Sequence, residues 1–285
     1  MEKIPIRHIN AAQKERNDGE SFGIRDLHAL LAGKNMVQEL HRHDFFYVLA
    51  LKKGAGHHEI DFIPYPNGNN TVFFMRPGQV HQLTLKAGST GYMMHFSQEF
   101  YAPPDSVSKQ LFRNAGNTNH YSLDAGRFQK LLTILTSIFQ EYSDKQAQYA
   151  EVIKANMRIF FIELTRQKNS SAATHAQPYV QEQLDTFLAL LETHIFTHKQ
   201  VAQYAAMLHL SVYQLNAITR ATLGKTCSEI MNEHIILEAK RYLLATANQI
   251  NQIADLLGYE DVSYFIRFFK KHTGQSPETF RQHFR

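Results

Sequence analysis

The segment Tyr204-Ala-Ala-Met-Leu-His-Leu-Ser211, with a helical pattern to Gly224, recurs as Ile253-Ala-Asp-Leu-Leu-Gly-Tyr259, with a helical pattern to Gly274. Ala205 and Ala254 are 49 residues apart and the two glycines are 50 apart, so the copies differ by one inserted residue. Each copy predicts a short helix with an inward-facing small residue, a tight turn and an amphipathic helix closed by glycine. This order is typical of a helix-turn-helix, whose second helix enters the DNA major groove. Two copies predict contacts with two adjacent major grooves.

The length and composition of the chain indicate an ordinary globular protein of two domains. It has 285 residues, of which 44% are hydrophobic and 20% charged, and single cores usually stop growing near this length. One cysteine, Cys227, excludes an intramolecular disulfide and favours a reducing compartment. The first residues lack a signal-peptide pattern, and no apolar run approaches the ~18 residues of a membrane helix. We therefore expect a cytoplasmic protein with no membrane partner.

The charge of the chain permits a polyanionic partner without requiring one. The formal net charge is +4 and the sequence pI is about 9.0. Residues 181–285 hold ten Lys or Arg and ten Asp or Glu, so this region is neutral as a whole. Beyond Asp261 the only acidic residue is Glu278, against five basic residues: Arg267, Lys270, Lys271, Arg281 and Arg285. This basic end predicts few, well-placed phosphate contacts.

The N-terminal half changes from a strand pattern to a helix pattern. Residues of about 20–100 form short β-branched and aromatic runs, separated by turn signals at 52–56, 64–70, 76–78 and 87–89, which favours a β-barrel or sandwich. Residues of about 124–166 carry two apolar stripes at helical spacing, starting at Phe128 and Val152. They predict an antiparallel helix pair that either covers the open edge of the barrel or mediates dimerisation. Residues 167–180 are mostly small and polar and are interpreted as a linker.

The C-terminal helices carry recognisable start signals and an outward-facing set of side chains. Ser211 followed by Gln214 predicts a capping box, and Asp261 predicts the start of a helix that runs to about His272. Arg267 suits the guanine edge and Asn216 the adenine edge, and we rank them first and second as base readers. We expect Lys270 and Lys271 to contact phosphate groups. The predicted DNA-binding residues are Tyr213, Asn216, Ala217, Val262, Ser263, Arg267, Lys270 and Lys271.

The second copy carries a specific family resemblance. It reads Ile253-Ala-Asp-Leu-Leu-Gly-Tyr-Glu-Asp-Val-Ser-Tyr-Phe-Ile-Arg-Phe-Phe-Lys-Lys-His-Thr-Gly-Gln-Ser-Pro-Glu-Thr-Phe-Arg281. This segment resembles the second half of the tandem helix-turn-helix domain of AraC/XylS-type bacterial transcription regulators, and Glu238-Ala-Lys-Arg-Tyr-Leu-Leu244 resembles the helix that joins the halves. The resemblance implies a DNA-binding domain at 181–285, with motifs at about 198–224 and 250–274. The first copy departs from the pattern at His209, where a turn glycine is common, at Ala217, where arginine is frequent, and at Thr219, where phenylalanine is frequent.

Histidines cluster along the predicted strands as His41-Arg-His43, His57-His58 and Pro77-Gly78-Gln-Val-His81. Residues 20–100 resemble the small barrel called a cupin, whose catalytic members follow H-x-H with a glutamate four or five residues on. Tyr47 and Val48 occupy those positions, so we predict no metal ligands, no cofactor and no enzymatic activity. Three readings stay open: histidines satisfied by hydrogen bonds within the barrel, an effector pocket without metal, and a metal site in which His57 or His58 substitutes for the missing ligand. The predicted effector-binding residues are His41, His43, Tyr47, His57, His81 and Tyr92.

These observations predict a two-domain α+β protein with a cupin-like sensing and dimerisation domain at 1–166 and an all-α tandem helix-turn-helix domain at 181–285. The predicted function is a sequence-specific DNA-binding transcription regulator, an activator, controlled by a small-molecule effector such as a sugar. The resemblance implies promoter DNA, RNA polymerase and a second copy of the chain as partners. One alternative is a constitutive regulator whose barrel only dimerises. Another is a metal-dependent cupin enzyme fused to a DNA-binding domain, against which the missing glutamate argues.

Overall fold

A computed structural model of the chain describes residues 6–7, 21–103, 105–166 and 178–284. These residues belong to two compact units, one within Pro5–Ala172 and the other within Ala173–Arg285. The first combines β-sheets with helices and the second is helical, so the predicted α+β class is confirmed. Residues 167–177 of the predicted linker lie outside the described residues.

The strands of the first unit form two five-stranded sheets. One has the order β1-β3-β8-β5-β6 and the other β10-β7-β4-β9-β2, and every pair is antiparallel except β1 with β3. Side chains of both sheets meet in one core, with Tyr47 and Leu49 from the second sheet and Leu83 and Leu85 from the first. The strands are β1 Ile6–Arg7, β2 Phe22–Asp26, β3 Met36–His43, β4 Phe46–Lys53, β5 Gly56–Ile60, β6 Ile63–Pro66, β7 Thr71–Met75, β8 Val80–Leu85, β9 Thr90–Phe96 and β10 His120–Ser122.

The turn predicted at 64–70 begins later than expected. Pro64 and Pro66 lie in β6, at the edge of the first sheet, where they pair with Glu59 and His57 of β5. Proline lacks the N–H that a central strand needs on both sides, but an edge strand has one side without a partner. The proline-rich stretch is therefore compatible with a strand here, although it resembles a loop in sequence.

The predicted helix pair is present as α3 (Ala125–Asp144) and α4 (Tyr149–Arg166), after α1 (Leu27–Leu31) and α2 (Ser106–Gly116). The buried stripes of α3 and α4, including Phe128 and Met157, share one apolar cluster with Val48, Val72 and Met94 of the second sheet. Since residues alternate between the two faces of a strand, Tyr47 and Leu49 point into the barrel while Val48 points at the helices. The pair covers a face of the sheet rather than an open edge.

The second unit packs seven described helices around one core. They are α5 Pro178–His194, α6 Val201–Met207, α7 Val212–Leu223, α8 Cys227–Ala245, α9 Ile250–Leu256, α10 Val262–Thr273 and α11 Pro277–Phe284. Ala205 of α6 and Ala254 of α9 are both buried in this core, as the duplicated pattern predicts. Among the described helices, none combines the length and apolar character needed to cross a bilayer.

The capping predictions for the two long motif helices are confirmed. Ser211 accepts a hydrogen bond from the N–H of Gln214, whose side chain bonds back to the N–H of Ser211. Asp261 accepts from the N–H of Ser263 and starts α10, which ends at Thr273, one residue later than expected. Gly224 and Gly274 end α7 and α10 in the left-handed conformation, at φ 69° and 80°. Local sequence therefore sets where both helices begin and end.

Candidate functional site

Helices α7 and α10 are equivalent in the two motifs, and each exposes one face. A residue of α7 and the residue 50 positions later in α10 occupy the same place in their motifs. The N-cap residues Ser211 and Asp261 are such a pair, and so are the C-terminal glycines Gly224 and Gly274. Residues spaced four and then three apart share one side of a helix. On that side α7 exposes Tyr213, Ala217 and Arg220, and α10 exposes Ser263, Arg267 and Lys270. We call these six residues the reading surface.

The second motif presents most of its predicted contacts to solvent. Ser263, Lys270 and Lys271 are exposed, whereas Val262 is half-buried and packs against the helical core. The Arg267 side chain is 71% exposed, and its Nη2 lies 3.9 Å from a carboxylate oxygen of the exposed Asp261. An ion pair this long and this solvated contributes little stability. The guanidinium can therefore leave Asp261 at small cost.

The first motif differs from its prediction at Asn216. Tyr213, 83% exposed, and Ala217 lie on the outer side as expected. Asn216 instead uses its Oδ1 to accept the N–H of Cys227 at 3.0 Å, while its Nδ2 donates to the carbonyl of Val212. The first N–H groups of a helix have no partner within it, and Asn216 supplies one at the start of α8. One N–H and one oxygen lone pair of its carboxamide are thus engaged within the protein, and its rank as the second base reader stays a prediction.

Two basic residues lie in surroundings that sequence reasoning did not predict. Arg220 is exposed at the position that corresponds to Lys270, a correspondence that the 50-residue offset alone could have revealed. Arg281, which the sequence places in the basic end, is only 9% exposed. Its guanidinium donates to the carbonyls of Leu243 and Asn248 at 3.0 and 2.6 Å. Arg281 therefore joins helices of the core, and Arg285 lies outside the described residues.

In the first unit, four of the six predicted effector residues come together inside the barrel. His41, His43, Tyr47 and His81 are all buried, and His41 of β3 pairs directly with His81 of β8. The Nε2 atom of His81 lies 2.8 Å from that of His43 and 3.0 Å from that of His41. The rings of His43 and Tyr47 are stacked, with centroids 5.4 Å apart. We call His41, His43 and His81, together with the buried His58, the histidine cluster.

The other two predicted effector residues lie elsewhere. His57 is exposed on the outer face of β5, whereas His58 is buried and places its Nε2 2.8 Å from Nδ1 of His81. Burial lowers the pKa of His58 to about 3, so its imidazole is neutral at physiological pH. Tyr92 lies on the helix-covered face of its sheet, where its hydroxyl donates to Thr136 of α3. The inward positions of β9 are instead Met93 and His95.

Comparisons with known proteins match both units. A family model described as an AraC-like ligand binding domain matches residues 31–150, and one described as a helix-turn-helix domain matches residues 204–283. The chain belongs to the AraC family of transcription regulators. As a member of this family it is a DNA-binding regulator with a ligand-binding domain. The first match includes the histidine cluster, and the second includes the whole reading surface.

Relatives and solved structures resemble the AraC-family chain over most of its length. The transcriptional activator RhaS of Escherichia fergusonii is 22% identical over 250 residues, which cover 85% of this chain and 87% of that protein. The transcriptional activator RhaR of Yersinia pestis bv. Antiqua is 22% identical over 253 residues, covering 86% and 84%. Fatty acid-bound ToxT from Vibrio cholerae is 16% identical and covers 93% of this chain and 96% of that one, with a TM-score of 0.43.

Proposed function

We propose that this AraC-family protein is a cytoplasmic, non-enzymatic activator that binds promoter DNA through the reading surface under the control of an effector held in the barrel. The observation that carries the proposal is the equivalence of α7 and α10, with the same capping positions and the same exposed face. The relatives RhaS and RhaR are named as activators, which supports activation and RNA polymerase as a partner. We also propose that the chain acts as a homodimer.

Each residue of the reading surface has a role that its chemistry suggests. Arg267 lies on the second turn of α10, where a guanidinium can bond the O6 and N7 atoms of guanine. Ala217, at the corresponding place in α7, can only make an apolar contact such as that with a thymine methyl group. Lys270 and Arg220, one turn further along, suit phosphate oxygens. Specificity then depends more on α10 than on α7.

Substitutions on α10 should separate base reading from phosphate binding. We expect Arg267→Ala to cost about 1–3 kcal/mol of binding and to relax base preference at one operator position. Lys270→Ala should weaken binding to all sequences alike and reduce the slope of log affinity against log salt by about 1. Fluorescence anisotropy on a series of singly substituted operators, at several KCl concentrations, measures both.

The matched control for these two variants is Lys130→Ala, which removes an exposed cation from α3 of the other unit. Its affinity and salt slope should equal those of the unchanged chain. If Arg267→Ala lowers affinity equally on every operator, Arg267 contacts phosphate and the base-reading role is wrong.

The barrel is the proposed effector site because polar side chains converge there among apolar ones. His41, His43, Tyr47 and His81 are buried, and Leu49 and Leu83 belong to the apolar core of the same barrel. A mostly apolar site with a few convergent polar groups is typical of small-molecule binding. An effector changes DNA binding only if it has different affinities for two arrangements of the protein. The site therefore has to be coupled to the DNA-binding unit through a shift between such arrangements.

Removing one imidazole should abolish the response without abolishing DNA binding. We expect a panel of sugars to include one that raises the melting temperature of the full chain by about 5 °C, because a ligand that binds only the native state stabilises it. His43→Ala should lose this shift and keep its operator affinity, whereas His57→Ala, on the outer face of β5, should keep both. If no compound shifts the melting temperature, the alternative of a constitutive regulator with a dimerising barrel is favoured.

A further inference from the structure

We infer that Lys199 is a positioning residue for DNA binding, which holds the turn of the second motif against the start of the first and so fixes the spacing of α7 and α10. Lys199 comes immediately before Gln200, the N-cap of α6 in the first motif. Leu257, Gly258 and Tyr259 lie in the turn between α9 and α10 of the second motif. The inference rests on the proposed function, since it concerns how α7 and α10 are presented together to DNA.

The ammonium group of Lys199 makes two contacts with that turn. Its Nζ donates a hydrogen bond to the carbonyl of Leu257 at 2.5 Å and lies 3.8 Å from the ring centroid of Tyr259. A cation this close to an aromatic ring is attracted to its face, and a charged donor bonds more strongly than a neutral one. Burial lowers the pKa of Lys199 to about 8, so at pH 7 the group is still mostly charged.

The backbones of the two regions also approach each other closely. A Cβ placed on Gly258 would lie 1.9 Å from the carbonyl oxygen of Phe196, so the main chain of the turn lies directly against the main chain that leads to Lys199. The same Cβ would lie 3.4 Å from Cε of Lys199. The aliphatic part of the lysine therefore packs against the turn while its charged end reaches Leu257 and Tyr259.

Residues 196–199, which we call the bridging segment, are attached to the first motif as well. The hydroxyl of Tyr204, a fully buried residue of α6, donates to the carbonyl of His198 at 2.8 Å. The N–H of His198 donates to the carbonyl of His194 at the end of α5, at 2.7 Å. The bridging segment is thus held by α5 and α6 on one side and by the turn of the second motif on the other.

These contacts add direction to a packing that the apolar core does not fully determine. Helix α8 lies between the two motifs in sequence, and residues of both belong to one apolar core. Burial of apolar surface is non-directional, whereas a hydrogen bond and a cation–π contact require a defined geometry. A second connection, at the bridging segment, restricts rotation of one motif relative to the other about α8.

A fixed spacing of α7 and α10 has a consequence for the DNA that the chain selects. Each motif reads one half-site, and one added base pair moves the half-sites about 3.4 Å apart along the duplex and about 35° around it. A protein with rigidly spaced helices loses contacts on such DNA. A protein with a flexible arrangement adapts to it and binds every spacing at the cost of ordering itself. Lys199 should therefore determine the preferred spacing of half-sites and leave the preferred bases unchanged.

Operators of different spacing test this role. Selection from a randomised duplex library with the full chain gives the operator, and one base pair is then inserted or removed between its half-sites. At pH 7, fluorescence anisotropy should show that the unchanged chain binds the altered operators at least about 10-fold more weakly. Lys199→Met keeps the length of the side chain and should reduce this ratio to less than about 3-fold. Lys199→Arg, which keeps a charged donor that stacks on aromatic rings, should restore the ratio.

Lys225→Met is the matched control, because Lys225 is an exposed lysine of the same unit that pairs with Glu233. Its ratio should equal that of the unchanged chain. Each ratio compares two operators on one protein below its thermal transition, so a loss of stability alone does not change it. An unchanged ratio in Lys199→Met, or an equal reduction in Lys225→Met, overturns the inference alone. A selected sequence without two separated half-sites overturns the proposed reading surface and this inference together.

Discussion

Gly258→Ala is expected to lower the free energy of unfolding by more than about 3 kcal/mol, because two costs add at this position. Gly258 has φ +72°, a conformation that costs an L-residue with a side chain about 1–2 kcal/mol. An added Cβ would also lie 1.9 Å from the carbonyl oxygen of Phe196. This neighbour is backbone, so it cannot turn away as a side chain could.

We expect Gly258→Ala to weaken DNA binding as well as to lower stability, because Gly258 forms the turn of the second motif. Its neighbours Leu257 and Tyr259 are both buried in the helical core. Thermal unfolding followed by circular dichroism should show a fall in melting temperature of roughly 10 °C or more for the C-terminal transition. Operator affinity measured below that transition should fall with the folded fraction.

The first motif supplies the matched control at His209, 49 residues earlier. His209 has φ +55° and is exposed, so the same turn carries a side chain where nothing buries it. His209→Gly should leave stability unchanged or raise it by up to about 1 kcal/mol, since it removes left-handed strain. If Gly258→Ala is tolerated as well as His209→Gly, the approach of Phe196 is not rigid and the explanation fails.

The parts of the fold that the sequence predicts are those set by local chemistry. Ser211 with Gln214, and Asp261 with the N–H of Ser263, cap helices through side chains within three residues. Gly224 and Gly274 end helices because glycine adopts positive φ without strain. None of these features depends on a distant part of the chain, so a pattern in the sequence is sufficient to predict them.

The polar residues that sequence reasoning misplaced depend on distant backbone groups. The sequence predicts an exposed amide at Asn216 on an amphipathic helix. In the structure its side-chain oxygen accepts a hydrogen bond from the N–H of Cys227. Arg281 looks like part of a basic tail, yet carbonyls 33 and 38 residues away hold it in the core. Helical periodicity indicates which face of a helix is apolar. It cannot indicate which distant backbone groups need a side chain as a hydrogen-bond partner.

The misplaced barrel residues reflect strand register. His57 and His58 are adjacent, so they point to opposite faces, and only the pairing of β5 with β8 decides which one is inside. For Tyr92 the ambiguity is different, because α3 and α4 cover the outer face of its sheet. Both faces of β9 are consequently buried, and alternation of polar and apolar residues no longer distinguishes them.

Arg281→Ala is expected to destabilise the C-terminal unit by about 2–6 kcal/mol, because it leaves two buried carbonyls without a donor and each costs about 1–3 kcal/mol. Arg281, on α11, bonds the carbonyl of Leu243 in the last turn of α8 and that of Asn248 just before α9. It therefore supplies donors where α8 ends and the second motif begins. Urea unfolding monitored by circular dichroism measures the loss, and Gln282→Ala, at the exposed next residue of α11, is the control.

Arg281→Lys separates this structural role from a phosphate contact, which the position of Arg281 in the basic end of the sequence would permit. Lysine keeps the positive charge but cannot reproduce the planar fork that reaches two carbonyls at once. A phosphate contact would survive the change with stability intact and with an unchanged salt slope. The buried geometry instead predicts that Arg281→Lys loses stability, by an amount between those of Gln282→Ala and Arg281→Ala. If the Arg281→Lys variant is as stable as the unchanged chain but binds DNA more weakly, Arg281 contacts DNA. Its hydrogen bonds to the carbonyls of Leu243 and Asn248 would then not be needed for the stability of the unit.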